Sequence, residues 1–259
     1  LRHECGIAAA YHFLDRPLSP LVPQIPRLDP ADKWVGHPDI NATSRLIPRM
    51  LLDMQNRGQL ASGISSYNAT RPTRIRTYKA LGTVSEGFSL NQKRAFEELM
   101  LHHTGNAAIG HVRYATCGGD ELESAQPFER EHGRITRWFA FAFNGQLTNF
   151  PDLRKELLDR GDYHLKRNVD TEILMHAISQ EMAKQGEVEA IDWRQVFETL
   201  STRLDGSYNI VLISATGELV VVRDPLGFRP LCIVEEGSLF AAASESLPLA
   251  NLGFQTDRI

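Results

Sequence analysis

Short runs of alternating or β-forming apolar residues predict strands in two blocks, with a block of helices between them. The first block follows an apolar strand directly after Cys5 and covers residues 62–68, 74–80, 106–112 and 137–143. Apolar residues spaced three and four apart then predict helices at 150–160, 170–184 and 192–204. The second block of strands covers residues 207–214, 218–223, 230–234 and 239–243. This order predicts an α+β layered domain with mostly antiparallel sheets rather than an alternating doubly wound fold.

A proline-rich segment at about 14–43 interrupts the first block. Its six prolines remove backbone donors and exclude a regular helix or a central strand, so we expect an excursion over the surface. A loop of this length either contacts a partner or is a tolerated insertion. Helical spacing begins at Ser44, with apolar residues such as Leu46 and Met50 on one face, and the helix is predicted to stop at Gly58.

The composition is that of an ordinary globular domain. The 259 residues are 42% hydrophobic and 23% charged, which excludes a disordered or fibrous chain. The formal net charge of −4 gives no broad attraction for nucleic acid or an anionic membrane, so neither is an expected partner. No uninterrupted apolar run reaches about 20 residues, so neither a membrane span nor a secretory signal is expected. Three cysteines, Cys5, Cys117 and Cys232, are too few and too far apart for a disulfide framework or a four-ligand zinc site, which favours a cytoplasmic protein.

Cys5 is the most informative candidate for chemistry because it lies so close to the amino terminus. A free terminal amine has a pKa of roughly 7.7–8.0 and a thiol one of about 8.5, so a terminal cysteine holds a nucleophile and a near-neutral base in one residue. In this sequence residues 1–4 precede Cys5 and keep its nitrogen in an amide bond. We therefore expect residues 1–4 to be a propeptide-like leader that is cleaved after Glu4. The alternative is that Cys5 is a small buried hydrophobic residue at the head of a strand.

Six separated motifs carry small residues, turn formers and polar groups that core packing does not require. They are Cys5-Gly6-Ile7, Asn56-Arg57-Gly58-Gln59, Gly110 to Thr116, Phe143 to Asn149, Val169 to Glu172, and Arg223 to Leu231. In this order they resemble the glutaminase domain of the class II glutamine amidotransferases, which are N-terminal-nucleophile hydrolases. Within that family, Ala125-Gln126-Pro127-Phe128 and Ala243-Ser244-Glu245-Ser246 make the sequence most similar to the amidophosphoribosyltransferases. The resemblance assigns residues 5–259 to one glutaminase domain and implies a four-layer αββα sandwich of two mostly antiparallel sheets.

The resemblance implies catalytic roles for Cys5, Asn144 and Gly145. Cys5 Sγ would attack the side-chain amide carbon of L-glutamine to give a thioester and release ammonia, while its own amine relays the proton. The Asn144 side-chain amide and the Gly145 backbone N–H would stabilise the negative charge on the carbonyl oxygen in both tetrahedral steps. Without the other motifs, Asn144-Gly145 would be a simple turn at the end of a strand.

The resemblance also implies a set of substrate-binding residues. Arg113 is expected to clamp the α-carboxylate of glutamine with two parallel hydrogen bonds, and Asp170 is expected to meet the α-ammonium group. Arg57 and Thr116 match family positions that help to order the glutamine site. The alternative for each charged residue is a surface or structural ion pair. His111 has no clear catalytic partner and is expected to be structural.

Cofactors and partners follow from the same resemblance. Some relatives carry an iron–sulfur cluster with a cysteine ligand just after the Ser-Glu-Ser-like segment, but Leu247 stands there in this chain. No iron–sulfur cluster or other cofactor is therefore expected in this domain. The family's phosphoribosyltransferase domain, with its magnesium ion, has no counterpart in this sequence. The expected partners are L-glutamine and an acceptor domain or subunit, in a full enzyme that is a homo-oligomer.

The resemblance thus implies a glutaminase domain whose ammonia goes to phosphoribosyl pyrophosphate, forming 5-phosphoribosylamine for purine biosynthesis. One alternative keeps the glutaminase but changes the acceptor to that of the glucosamine-6-phosphate, asparagine or glutamate synthases. Another is a non-catalytic regulatory module in which Cys5 stays unprocessed. The segment from Arg223 to Leu231 favours the purine enzyme.

Overall fold

The computed structural model describes residues 5–28, 33–114, 122–159, 165 and 169–259. The strands in these ranges are β1 (Gly6–His12), β2 (Ile25–Leu28), β3 (Trp34–His37), β4 (Ala61–Tyr67), β5 (Ile75–Leu81), β6 (Ala107–Arg113), β7 (Phe128–Arg130), β8 (Phe139–Leu147), β9 (Gly206–Ser214), β10 (Leu219–Arg223), β11 (Cys232–Glu236) and β12 (Leu239–Ala243). The α-helices are α1 (Leu46–Asp53), α2 (Val84–Gly87), α3 (Lys93–His102), α4 (Phe150–Asp159), α5 (Asp170–Lys184), α6 (Trp193–Ser201) and α7 (Ser246–Leu252). Short 3₁₀ helices lie at Ile40–Arg45, Gln55–Arg57, Leu122–Ser124, Ile135–Arg137 and Thr256–Arg258.

Two antiparallel sheets form the centre of the fold. The larger sheet has six strands in the order β11-β12-β1-β6-β4-β5, and the smaller has four in the order β10-β9-β8-β7. Strand β1 lies inside the larger sheet, where Ala9 pairs with Ala242 of β12 on one side and with Ile109 of β6 on the other. The strand that follows Cys5 is therefore held from both edges. Strands β2 and β3 form a separate hairpin.

Alternation along β1 gives the larger sheet two different surfaces. Ala8 and Ala10 belong to a core cluster with residues of α1 and α7. Ile7 and Ala9, one position away in each case, belong to a second cluster that contains residues of the smaller sheet. Since successive side chains of a strand point to opposite faces, one face of the larger sheet is covered by helices and the other by the smaller sheet.

The smaller sheet is divided in the same way. Phe139, Phe141 and Phe143 of β8 form a large apolar cluster with α4, α5 and α6. Between them, Ala140 and Ala142 face the larger sheet, where their small side chains allow the two sheets to pack closely. The order of layers is thus helices, sheet, sheet, helices. The predicted αββα sandwich is confirmed.

Most predicted elements are present with boundaries shifted by a few residues, and several short ones were missed. The helices predicted at 150–160 and 170–184 are α4 and α5. The elements α2, α3, α7, β2, β3 and β7 were not predicted. In α3, Phe96, Leu99 and Met100 pack against the core under the larger sheet, so an amphipathic pattern was present in the sequence.

The proline-rich segment is only partly on the surface. It contains the β2–β3 hairpin, in which Pro26 lies on a strand with a single partner, as prolines in sheets do. However, Val22 and Ile25 are 7% and 3% exposed and join the same core cluster as α1. The prediction of an excursion over the surface is therefore wrong for these residues, because their apolar side chains cover part of the larger sheet's helical layer.

The helices are short throughout the described ranges. The longest, α5, has 15 residues, whereas a bilayer-spanning helix needs about 20 apolar ones. No helix in the described part of the chain combines the length and the apolar character that a membrane crossing requires.

Candidate active site

Side chains that carry chemistry converge at one end of the layer between the two sheets. In β1 the inward-facing series runs back from Ile7 to Cys5, and in β6 it runs forward from Ile109 to Arg113. On the facing sheet, the inward-facing series of β8 ends with Asn144. The period of two in these strands therefore brings distant parts of the sequence to one place.

A cavity of about 490 Å³ opens at this end of the sandwich, within the size range of small-molecule sites. Four of the predicted site residues line it: Cys5, Arg113, Gly145 and Asp170. Asn144 is fully buried directly before Gly145. Arg57 does not line the cavity, and Thr116 and Cys117 lie outside the described residues.

The Cys5 thiol lies against the backbone that follows Arg113. Its Sγ accepts a hydrogen bond from the Tyr114 N–H at 3.5 Å and donates to the Tyr114 carbonyl at 3.7 Å. Burial raises the pKa of the Cys5 thiol, and the Tyr114 N–H and the positive charges of Arg113 and Arg229 offset only part of this effect. The thiol is therefore neutral at pH 7, and it needs a base before it can attack a carbonyl carbon.

The side-chain amide of Asn144 is held at both ends. Its Nδ2 donates to Ser244 Oγ at 3.2 Å, and its Oδ1 accepts from Arg229 Nη1 at 3.3 Å. Because an amide nitrogen carries two hydrogens, the bond to Ser244 leaves a second N–H for a ligand. Ser244 Oγ also accepts the Ile7 N–H at 3.0 Å, so a single hydroxyl ties the strand of the nucleophile to Asn144.

The Gly145 N–H points into the cavity. Strand β8 pairs with β9 along one edge, while at the other edge the Leu147 N–H donates to Asp170 Oδ2 at 3.0 Å. Alternate residues of an antiparallel strand direct their N–H groups to the same edge, so the Gly145 N–H also points away from β9. A Cβ at Gly145 would come within 2.5 Å of the Ser207 carbonyl oxygen in β9. Only glycine allows the two strands to approach so closely here.

Arg57 supports the backbone of the nucleophile. Its Nε donates to the Cys5 carbonyl at 3.1 Å, and its Nη1 forms an ion pair with Glu245 Oε1 at 2.7 Å. Glu245 directly follows Ser244, so two neighbouring residues near the end of the chain each fix one part of the site. These contacts place Arg57 behind Cys5 rather than at the surface that a ligand would meet.

Two opposite charges face the cavity. Arg113, the last residue of β6, is 5% exposed, and Asp170 is the first residue of α5. Burial raises the pKa of the Asp170 carboxyl, and the hydrogen bond from the Leu147 N–H offsets part of this rise. No lysine or arginine in the described ranges is paired with Asp170, so its charge is available to a cationic group of a ligand.

The loop that carries Arg229 is stabilised by its own side chains. Asp224 Oδ1 accepts the Leu226 N–H at 3.0 Å, and Arg223 Nη2 donates to the Gly227 carbonyl at 2.7 Å. Arg229 Nε in turn donates to Ser207 Oγ at 3.2 Å. The segment from Arg223 to Leu231 therefore presents the Arg229 guanidinium to Asn144 in a fixed position.

His111, which was expected to be a structural residue, lies in β6. It is fully buried and does not line the cavity. Burial, with a smaller contribution from the charge of Arg113, lowers the pKa of His111 to about 3, so the ring is neutral at pH 7.

In the ranges that the structure describes, no three His, Cys, Asp or Glu side chains cluster as metal ligands. Cys232, at the start of β11, is partly exposed, and Leu247 in α7 is 51% exposed.

Ser244 lies in the motif Ala243 to Ser246 and Arg229 in the segment Arg223 to Leu231. The sequence alone assigned a role to neither residue. For Ser244 a signal existed, because this lone hydroxyl directly follows the apolar strand β12. For Arg229 no local signal existed, because its partner Asn144 is 85 positions away.

A thiol, a buried amide, a backbone N–H and two opposite charges thus converge at one end of the αββα sandwich. The chain belongs to the glutamine amidotransferase family, since the family model described as "Glutamine amidotransferase domain" matches residues 111–251. The prediction of a glutamine amidotransferase domain is confirmed.

Individual relatives agree with this assignment. The amidophosphoribosyltransferase of Archaeoglobus fulgidus is 34% identical over 221 residues, covering 85% of this chain and 44% of the relative. That of Escherichia coli is 32% identical over 227 residues, covering 85% of this chain and 43% of the relative. The chain thus spans less than half the length of these relatives. They do not favour another amidotransferase or a non-catalytic module.

Solved structures agree on the fold. The structure described as the allosteric regulatory enzyme of purine biosynthesis matches 96% of this chain and 43% of its own, with a TM-score of 0.71 and 25% identity. The glutamine phosphoribosylpyrophosphate amidotransferase of Bacillus subtilis, solved with ADP and GMP, matches 96% of this chain and 44% of its own, with a TM-score of 0.69 and 24% identity.

Proposed function

We propose that this domain hydrolyses L-glutamine to glutamate and ammonia through a thioester on Cys5. The observation that carries the proposal is that Cys5, Arg113, Gly145 and Asp170 line one cavity. A guanidinium and a carboxylate in one cavity suit the α-carboxylate and α-ammonium groups of a free amino acid, and exclude a glutamine within a peptide.

In the proposed reaction, the free amine of a processed Cys5 takes the thiol proton. Sγ then forms a bond to the amide carbon of glutamine, and the negative charge on the oxygen is stabilised by Asn144 Nδ2 and the Gly145 N–H. The C–N bond breaks as the amine returns the proton to the leaving nitrogen, which departs as ammonia. Water then hydrolyses the thioester through a second oxyanion, which releases glutamate and restores the thiol.

The free amine requires the removal of residues 1–4, because an amide nitrogen has no basic lone pair. The neutral thiol supports this requirement, since it needs a base close by. This chemistry uses only the thiol and the amine, so we infer that the domain itself needs no cofactor. Magnesium would belong to a phosphoribosyltransferase domain.

The proposed acceptor of the ammonia is phosphoribosyl pyrophosphate, with 5-phosphoribosylamine as the product that enters purine biosynthesis. Support comes from the relatives, which are amidophosphoribosyltransferases about twice as long as the matched region. The proposal includes an acceptor domain or subunit, a homo-oligomeric full enzyme and a cytoplasmic location.

The test compares two forms of the protein, one that begins with Cys5 and one whose leader cannot be removed. Intact mass establishes which amino terminus each form has, and coupled assays measure ammonia and glutamate. The electrophilic glutamine analogue 6-diazo-5-oxonorleucine is then used to label each form, with peptide mapping of the labelled cysteine. Only the form with a free Cys5 amine is expected to release ammonia and to be labelled at Cys5.

Equal labelling of both forms, or no hydrolysis by the form that begins with Cys5, would refute the proposed mechanism. The variant Cys5→Ala is expected to lose all activity, whereas Cys232→Ala, on the edge strand β11, is expected to keep it. Formation of 5-phosphoribosylamine by the full protein distinguishes the proposed acceptor from those of the other synthases.

A further inference from the structure

The side chain of Gln126 holds the backbone of Phe143 at two points. Gln126 Oε1 accepts the Phe143 N–H at 2.7 Å, and Gln126 Nε2 donates to the Phe143 carbonyl at 3.2 Å. Gln126 is 8% exposed and lines the cavity that contains Cys5. Gln126 belongs to the motif Ala125-Gln126-Pro127-Phe128, and the proposed reaction gives this motif no role.

These two bonds continue the sheet where its backbone pairing stops. Strand β7 begins at Phe128, which pairs with Phe141 of β8. The same register would place residue 126 opposite Phe143, and there the amide of Gln126 occupies the place of a backbone peptide group. The side chain thus pairs backbone groups of β8 that would otherwise be left without partners in a buried region.

The free edge of β8 is consequently fixed on both sides of Gly145. Phe143 is bonded to Gln126, and Leu147 is bonded to Asp170. Between them the Gly145 N–H points to the same edge and faces the cavity. The direction of this N–H therefore depends on the two side-chain contacts that flank it.

The other end of Gln126 is fixed by the larger sheet. The backbone carbonyl oxygen of Gln126 packs directly over Gly63 of β4. A Cβ added at Gly63 would come within 2.3 Å of this oxygen. Gln126 thus connects the sheet that carries Cys5 with the strand that carries Asn144 and Gly145. A small displacement of one sheet relative to the other would be resisted by this residue.

We propose that Gln126 is a positioning residue for glutamine hydrolysis, which sets the direction of the Gly145 N–H and the place of Asn144 by holding Phe143. This inference rests on the proposed function. It assigns Gln126 an effect on the transition state, where the oxyanion forms, and none on the binding of the glutamine charges.

The chain supplies a matched control in Gln185. Its Oε1 accepts the Asp192 N–H at 2.9 Å and its Nε2 donates to the Asp192 carbonyl at 3.0 Å, which is the same two-point contact at the start of α6. Gln185 does not line the cavity of Cys5. Replacing it removes a pair of bonds of the same kind, although more exposed to solvent, without affecting β8.

The experiment measures kcat and KM for glutamine in Gln126→Met and Gln185→Met, both in the form that begins with Cys5. Active sites are counted by titration with 6-diazo-5-oxonorleucine, so that kcat refers only to competent molecules. For Gln126→Met we expect kcat to fall roughly 10- to 100-fold with KM within about threefold of wild type. For Gln185→Met we expect both constants to stay within about twofold of wild type.

A second variant, Gln126→Asn, guards against a folding defect in the first. It keeps an amide at the same position, but it is one methylene too short to reach both groups of Phe143, so kcat is expected to fall as in Gln126→Met. Unchanged kcat in both Gln126 variants would overturn the inference, as would a rise in KM that accounts for the whole loss. If wild type itself hydrolyses no glutamine, the proposed function fails and this inference fails with it, whereas an active wild type separates the two.

Discussion

The part of the site that would carry out catalysis is built differently from the part that faces the charges of the ligand. Asn144 is fully buried, and its amide is bonded to Ser244 at one end and to Arg229 at the other. Asp170 is only partly buried and accepts hydrogen bonds from backbone N–H groups. The part proposed for catalysis is thus held by surrounding side chains, whereas Asp170 in the part proposed for recognition is held by backbone N–H groups.

This difference follows from what each part must do. A donor that stabilises a transient oxyanion is most effective when it already points to the place where the charge will form. A group that binds a charged substrate must instead exchange water for ligand and so cannot be fully engaged beforehand. The two parts should therefore respond differently to substitution, in kcat on one side and in KM on the other.

The largest effect is expected from Asn144→Ala. Loss of one oxyanion donor should lower kcat about 10²- to 10³-fold, or about 3 kcal/mol in the barrier, with KM for glutamine nearly unchanged. Steady-state ammonia release measures both constants. The control is Asn106→Ala, which removes a buried asparagine that directly precedes β6 and does not line the cavity. A loss carried mainly by KM would contradict the division between the two parts.

Asp170→Asn is expected to affect KM for glutamine rather than kcat. Loss of the charged contact to the α-ammonium group should raise KM roughly 10- to 100-fold and change kcat much less. Asp192→Asn, at the start of α6, serves as the control because its carboxylate accepts a backbone N–H away from the cavity. An unchanged KM in Asp170→Asn would show that this carboxylate does not recognise the substrate.

The same variant makes a prediction about stability. Because burial raises the pKa of Asp170, its charged form is disfavoured in the folded protein, so this carboxylate lowers stability at pH values above its folded pKa. Asp170→Asn should accordingly be no less stable than wild type at pH 7, and any advantage should shrink as the pH falls towards the usual aspartate value. Urea unfolding at pH 7 and at lower pH measures this difference. A variant clearly less stable than wild type at pH 7 would contradict the argument.

A smaller effect is expected from Ser244→Ala. The hydroxyl holds Asn144 and the Ile7 N–H, so its removal should lower kcat roughly 5- to 10-fold, as expected for one neutral hydrogen bond. Ser65→Ala removes a hydroxyl that is equally buried but bonded to Thr77 away from the cavity, and it should leave kcat unchanged. Equal loss in both variants would mean that Ser244 acts only through general stability.

The smallest effect on activity is expected from His111→Leu. This variant should instead change how the free energy of unfolding depends on pH. The unfolded chain protonates His111 near pH 6.5, whereas the folded protein resists protonation down to about pH 3, so wild type loses stability as the pH falls through this window. The slope is about 1.4 kcal/mol per pH unit for one such group. Urea unfolding measures the free energy of unfolding at pH 7 and at pH 5. Between these two pH values it should fall by about 2 kcal/mol less in the variant than in wild type. An equal fall in the free energy of unfolding in wild type and variant would refute the conclusion that folding keeps His111 neutral.

The order of strands and helices could be predicted from residue patterns because their signal is local, whereas the four layers were expected from the family resemblance. The alternation of Phe and Ala from Phe139 to Phe143 already separates the two faces of β8, whereas the all-apolar run from Ile7 to Ala10 does not separate those of β1. The proline-rich segment was harder, since proline excludes regular structure but does not say whether neighbouring apolar residues such as Val22 are buried.

The candidate site was predictable only in part, for a related reason. Cys5, Arg113, Gly145 and Asp170 lie in short motifs whose residue types indicate their chemistry. The supports of these residues lie elsewhere, since Ser244 contacts Ile7 across 237 positions and Arg229 contacts Asn144 across 85. Contacts over such distances depend on the register of the sheets, which no single motif determines.

The position of β1 between β6 and β12 has a consequence for biosynthesis. The ribosome makes β1 before the other strands of the larger sheet. Strand β12 and Ser244 follow only after more than two hundred further residues have been made. Until then the first strand lacks one of its two neighbours, and pairings that span such sequence separations form slowly. The sulfur of Cys5 therefore lacks part of its surroundings until β12 and Ser244 have been made.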